Sequence, residues 1–138
     1  MGVTTETKYA EVTVTNATGA PIGAVSVVHK YSSVYKEHHQ WGVLLDGQKS
    51  EGKSVAYHVG AFTTGKDWWV VSWFSEDGTT QYVSAPNNFR NIIDELESHI
   101  LREEDAGCYV DLRLNGDGTI VISSPSGVSE TVYESKQL

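Results

Sequence analysis

Gly65-Lys66-Asp67-Trp68-Trp69 joins a cation, a carboxylate and two indoles at the start of a strand-like run. Such a set suits recognition of a polar ring. A carboxylate accepts hydrogen bonds from hydroxyl groups, while an indole stacks on the apolar C–H face of a sugar. Asn87, Asn88 and Arg90 add donors at the end of a later loop, and Trp41 adds another aromatic. The candidate ligand-binding set is therefore Trp41, Lys66, Asp67, Trp68, Asn87, Asn88 and Arg90. The same residues also have a purely structural reading, in which Asn88 caps a helix, Arg90 pairs with Asp67 or with helix acids, and the indoles fill a core.

Other chemistries find less support. His29, His38, His39 and His58 invite a zinc reading, but adjacent histidines on a strand point to opposite faces, and no cysteine or carboxylate stands at ligand spacing. His38 and His39 read as part of a solvated loop, and His29 as a core histidine bonded to backbone. Asp117 and the Glu103-Glu104-Asp105 run offer oxygens without the pattern of a calcium loop. There is no Gly-x-Ser-x-Gly elbow, phosphate-cradling glycine loop or HExxH. Cys108 has no evident base beside it and reads as an inert thiol. The expectation is a non-enzymatic protein with no catalytic residues, no metal and no cofactor.

The elements that must position these residues are mostly strands. In Asp67 to Phe74, alternation puts Trp69, Val71 and Trp73 on one face and Trp68, Val70, Ser72 and Phe74 on the other. That strand is either buried on both sides or lends one side to a ligand. Further β-type runs cover 11–15, 24–31, 40–45, 53–59, 80–84, 109–114, 119–123 and 128–133, with hairpin signals at Asp77-Gly78 and Asn115-Gly116-Asp117-Gly118. Phe89, Ile92, Ile93, Leu96 and Ile100 recur at helical spacing and predict one amphipathic helix over about 88–103. The expected fold is mainly β, an antiparallel β-sandwich of eight or nine strands. The helix would lie across one sheet and cover Trp68 and Phe74.

Three blocks stand out together: Asn16-Ala17-Thr18-Gly19 with His29-Lys30-Tyr31-Ser32; Trp41-Gly42-Val43-Leu44; and Gly65-Lys66-Asp67-Trp68-Trp69 running to Asn87-Asn88-Phe89-Arg90. Across about residues 10 to 97 the chain resembles the domain family named "up-regulated in Daf-two". The resemblance implies a β-rich fold and no settled activity. In size and composition alone the chain is also similar to fungal fruiting-body lectins and to aegerolysin-type lipid binders, with no shared motif.

Composition narrows the partners. The chain has 138 residues, 39% of them apolar, and a net charge of −8. That fits one domain spanning 1–138, with polar ends at 1–7 and 135–138 expected to fray. The scattered Lys and Arg argue against nucleic acid, and the acidic balance against simple attraction to anionic membranes. A neutral glycan or a zwitterionic lipid stays compatible. No apolar run reaches the ~18 residues of a membrane span, and the single cysteine allows no intrachain disulfide. The N-terminus lacks a secretory or myristoylation pattern, so a cytoplasmic protein, compatible with non-classical release, is expected. The Asn16-Ala17-Thr18 sequon then reads as unused. The leading expectation is a lectin-like protein that recognises neutral glycans in defence or at cell surfaces, with a homo-oligomer supplying avidity. The second is a lipid or membrane binder of the aegerolysin or actinoporin type, and the third a protein-interaction module without a small ligand.

Overall fold

A computed structural model describes residues 5–60, 65–85, 90–91 and 99–138, at 90 and 91 in backbone only. Ten strands run through them: β1 (Glu6–Ala17), β2 (Ile22–Tyr31), β3 (Tyr35–Trp41), β4 (Lys53–Val59), β5 (Asp67–Ser75), β6 (Thr80–Ser84), β7 (Arg90–Asn91), β8 (Tyr109–Asn115), β9 (Thr119–Ser124) and β10 (Gly127–Gln137). The period-2 pattern of β5 is realised one-sidedly. Trp69, Val71 and Trp73 are buried, whereas Trp68 and Val70 stay 39% and 47% exposed. The buried face joins Val12, Val14, Val25, Val27, Tyr57, Leu112, Leu114, Ile120 and Ile122 in one core. Burying each of these indoles stabilises by about 2–3 kcal/mol from apolar area alone.

The strands lie in the order β3-β2-β5-β6-β10-β9-β8-β1-β4, with β7 paired to β10. This path nearly closes on itself like a barrel. The expected pair of separate sheets is joined through β10, which is long enough to serve both. Its first half pairs with β9 (Gly127↔Ser124 to Val132↔Thr119) and its second half with β6 (Tyr133↔Ser84 to Gln137↔Thr80). The 135–137 stretch is thus held in the sheet rather than frayed. The expected all-antiparallel pairing also fails at one place. β1 and β8 run parallel, because β8 arrives by a long connection through the 3-10 turn Glu103–Asp105 rather than by a hairpin.

The remaining gap lies between β3 and β4, where no backbone ladder forms and side chains close the seam. His39 Nε2 lies 2.7 Å from the Ser54 carbonyl, the Ala56 amide donates to Glu37 Oε2, and the Trp41 indole donates to the Glu51 carbonyl. This explains why β3, with the sequence Tyr-Lys-Glu-His-His-Gln-Trp, carries so few apolar residues. His38 and His39 therefore sit in a strand, not in a loop.

The expected helix over about 88–103 lies mostly outside the described residues, and its described parts are not helical. Arg90 and Asn91 pair antiparallel with Glu130 and Ser129. Residues 99–102 carry no regular structure, and only Glu103–Asp105 makes a single 3-10 turn. A tertiary acceptor competes successfully with the helix there, since the Leu101 amide donates to Asp67 Oδ2 at 2.9 Å. Both expected hairpins are present, with Gly78 and Gly118 at φ +74° and +94°, where a side chain would be strained.

Candidate ligand-binding site

The two segments that anchor the sequence resemblance meet residue by residue. β2 and β5 are antiparallel neighbours, with His29 opposite Trp69 and Tyr31 opposite Asp67. His29 is fully buried and donates through Nε2 to Asp67 Oδ1 at 2.5 Å and through Nδ1 to Glu37 Oε1 at 2.7 Å. Its ring lies 4.4 Å from that of Trp69. Burial alone would lower the His29 pKa, but the hydrogen bonds and charges of Asp67 and Glu37 outweigh it and hold the pKa above the ordinary value. Burial pushes the Asp67 carboxyl up, and His29 and the Leu101 amide offset only part of that. Beside this knot the Tyr31 ring packs where a Cβ on Gly65 would sit, and Ser32 Oγ accepts from the Lys66 amide.

This arrangement gives Asp67 a structural role. It is fully buried, one oxygen is held by His29 and the other by the Leu101 amide, so it has no free face for a sugar hydroxyl. In this carboxylate–imidazole–carboxylate group His29 and Asp67 are fully buried, and only Glu37 is partly exposed. A cavity of about 430 Å³ lies above it, bordered by Tyr31, His58, Gly65, Leu101, Arg102 and Glu103.

The other expected site residues are dispersed. Trp41 faces inward opposite Val25 and is buried at the seam, whereas Trp68 faces outward on β5. The two indoles lie on opposite faces of one sheet and cannot share a ligand. Lys66 is exposed at the start of β5. Asn87 and Asn88 lie outside the described residues, and Arg90 is known there only by its backbone pairing. Among the described residues no three His, Cys, Asp or Glu side chains are grouped to hold a metal ion. Asp117 caps its own turn through Thr119, and Asp105 is buried against the Arg102 amide and Ser126. Asn16, the sequon residue, is fully buried with its amide donating to the Ala20 and Leu44 carbonyls, so the folded chain withholds it from modification.

A second cavity, about 260 Å³, opens at the other end of β5. Its wall is an aromatic trio from three neighbouring strands. Trp73 and Tyr82 are register partners, stacked with centroids 5.4 Å apart and planes 13° from parallel. Tyr133 stands edge-on to both, at 4.8 Å from Trp73 and 5.7 Å from Tyr82. The Tyr133 hydroxyl donates to the Asn115 carbonyl at 2.6 Å, which fixes its ring. Thr18, Ala20, Pro21, Ile22, Ser75 and Gly116 complete the lining, which contains no charged side chain. Asn16 holds the Thr18–Pro21 loop in place through Thr18 and Ala20. Gly116 is required because a Cβ there would lie 2.8 Å from the Thr18 carbonyl.

Tyr82 and Tyr133 were not among the sequence candidates. An inward phase for Trp73 would have pointed to a Tyr in each of two later strands, but sequence leaves that phase open and does not show the register that unites them.

No helix among the described residues is long and apolar enough to cross a membrane. The model of the family described as "Up-Regulated in long-lived daf-2" matches residues 6–98 of this chain. No curated protein matches it.

Proposed function

The chain belongs to that family, and we propose that it is a non-enzymatic, lectin-like protein that binds a neutral ring, of the pyranose class, in the pocket of Trp73, Tyr82 and Tyr133. The observation that carries this reading is an aromatic wall in an uncharged recess at one end of the sheet. A charged ligand entering it would lose hydration and meet no opposite charge, a cost of several kcal/mol. A pyranose offers apolar C–H faces to Tyr82 and Tyr133, and its hydroxyls can reach the polar rim at Thr18 and Ser75. One shallow site of this kind binds weakly, so avidity would come from a homo-oligomer on a multivalent glycan.

The test is a glycan array probed with wild-type protein beside Tyr82→Ala. Loss of one aromatic contact, worth about 1 kcal/mol beyond its area, lowers affinity by roughly fivefold to tenfold. Binding that Tyr82→Ala weakens and Trp68→Ala leaves intact supports the pocket. A folded wild type that binds no glycan ends the lectin reading.

A further inference from the structure

We propose that the outer face of β3, β2 and β5 docks onto an anionic lipid surface. It is a separate surface from the aromatic pocket and does not depend on it. The strand registers arrange its outward residues in rows. Lys36, Lys30 and Trp68 lie side by side across the three strands, and His38, Val28 and Val70 form the next row. Lys66 stands at the entry to β5, and Val34 is exposed in the turn between β2 and β3. The rows thus combine an exposed indole and exposed valines with three lysines.

No acid points outward from these strands. Their only two are Glu37, turned to His29 and the Ala56 amide, and Asp67, fully buried. In a chain of net charge −8, whose acids outnumber its Lys and Arg by 18 to 10, a face with three lysines and no carboxylate among its described residues is a local reversal of sign. An indole flanked by lysines is the composition that settles at a bilayer interface, with the ring at headgroup depth and the ammonium groups on lipid phosphates and carboxylates. A bilayer fits better than an acidic peptide. The residues lie on hydrogen-bonded neighbouring strands, and none of them lines either described cavity, so among the described residues they form a broad sheet face rather than a groove for an extended chain.

The test is co-sedimentation of the full chain with vesicles of phosphatidylcholine, alone or containing about one third phosphatidylserine, at low and high salt. Tryptophan emission is read alongside. Trp68 is exposed while Trp41, Trp69 and Trp73 are buried, so a blue shift on binding reports Trp68. The expected result is binding only to the phosphatidylserine vesicles, reversed by salt and accompanied by the blue shift. Lys30→Gln with Lys36→Gln should lower partitioning roughly 25-fold, at about fivefold per lysine, and Trp68→Ala should abolish the shift. Tyr82→Ala should bind vesicles like wild type, which separates this face from the glycan pocket. Three outcomes would overturn the proposal: no binding to phosphatidylserine vesicles, binding unchanged in the double lysine variant, or capture of polyglutamate in place of vesicles. All substitutions lie on exposed or half-exposed positions, and circular dichroism confirms that each variant is folded before it is scored.

Discussion

Acidification should destabilise this protein through one residue that had no motif around it. His99 is 3% exposed and lies between two hydroxyls, with Nδ1 2.8 Å from Ser129 Oγ and Nε2 2.7 Å from Ser124 Oγ. A neutral imidazole satisfies both by donating to one and accepting from the other, whereas an imidazolium has no acceptor to offer. Burial, helped by the Arg102 charge and opposed by that of Asp105, lowers its pKa from 6.5 to about 4. The unfolded chain takes up this proton below its ordinary pKa and the folded chain does not, so stability falls as pH drops from about 6.5 to about 4. At about 1.4 kcal/mol per pH unit the full loss is about 3 kcal/mol. This is a large share of the 5–15 kcal/mol typical of a domain. Urea unfolding at a series of pH values measures it directly. His99→Gln, whose amide can still donate and accept, serves as the control. The wild type should lose stability across this window relative to the variant, and contributions from carboxylates cancel in the difference. Parallel pH profiles of the two proteins would refute the reasoning.

Gly65→Ala should cost about 1–3 kcal/mol by overpacking, since the new Cβ would fall 2.3 Å from the Tyr31 ring and hydroxyl; urea midpoints check it. Asp67→Ala should cost about 3–5 kcal/mol by leaving His29 and the Leu101 amide without their acceptor, and Asp67→Asn less. With Asp67 present, the elevated His29 pKa stabilises the fold below pH 6.5, and that stability is lost as pH rises through the folded value. In Asp67→Asn the His29 pKa should fall, read by NMR titration of its ring protons. Tyr133→Phe removes the hydrogen bond to the Asn115 carbonyl and should cost about 1 kcal/mol while leaving an aromatic wall for the ligand; calorimetric melting and the glycan array test the two halves.

Local signals carried much of this fold. The alternation in β5 was legible but its phase was not, because Trp68, Val70 and Phe74 are nearly as apolar as Trp69, Val71 and Trp73; Asp-Gly and Gly-Asp-Gly marked the two hairpins. β3 was hidden because its inward residues, Glu37, His39 and Trp41, close a seam by hydrogen bonds instead of filling a core, so no hydrophobic period shows. The C-terminal end of the expected helix was misread because Ile100 continues the helical stripe, although the amide of the next residue, Leu101, is claimed by a carboxylate 34 positions earlier. The site suffered from the same non-locality. Asp67 looked like a ligand contact because it stands in a distinctive motif, yet in the fold Gly65 of that motif seats Tyr31 and Asp67 tethers His29. The aromatic pocket depends on registers that bring residues 73, 82 and 133 together, and composition cannot announce that.

The most direct test of the central claim uses the four indole N–H resonances in a proton–nitrogen NMR spectrum during titration with a neutral oligosaccharide taken from the array. Trp41 reports the seam, Trp68 the outer face, Trp69 the buried knot through its bond to the His99 carbonyl, and Trp73 the pocket. Saturable movement of the Trp73 signal, with Trp68 unmoved, is the predicted result. Movement of Trp68 with Trp73 fixed would place the glycan on the outer face and contradict the account.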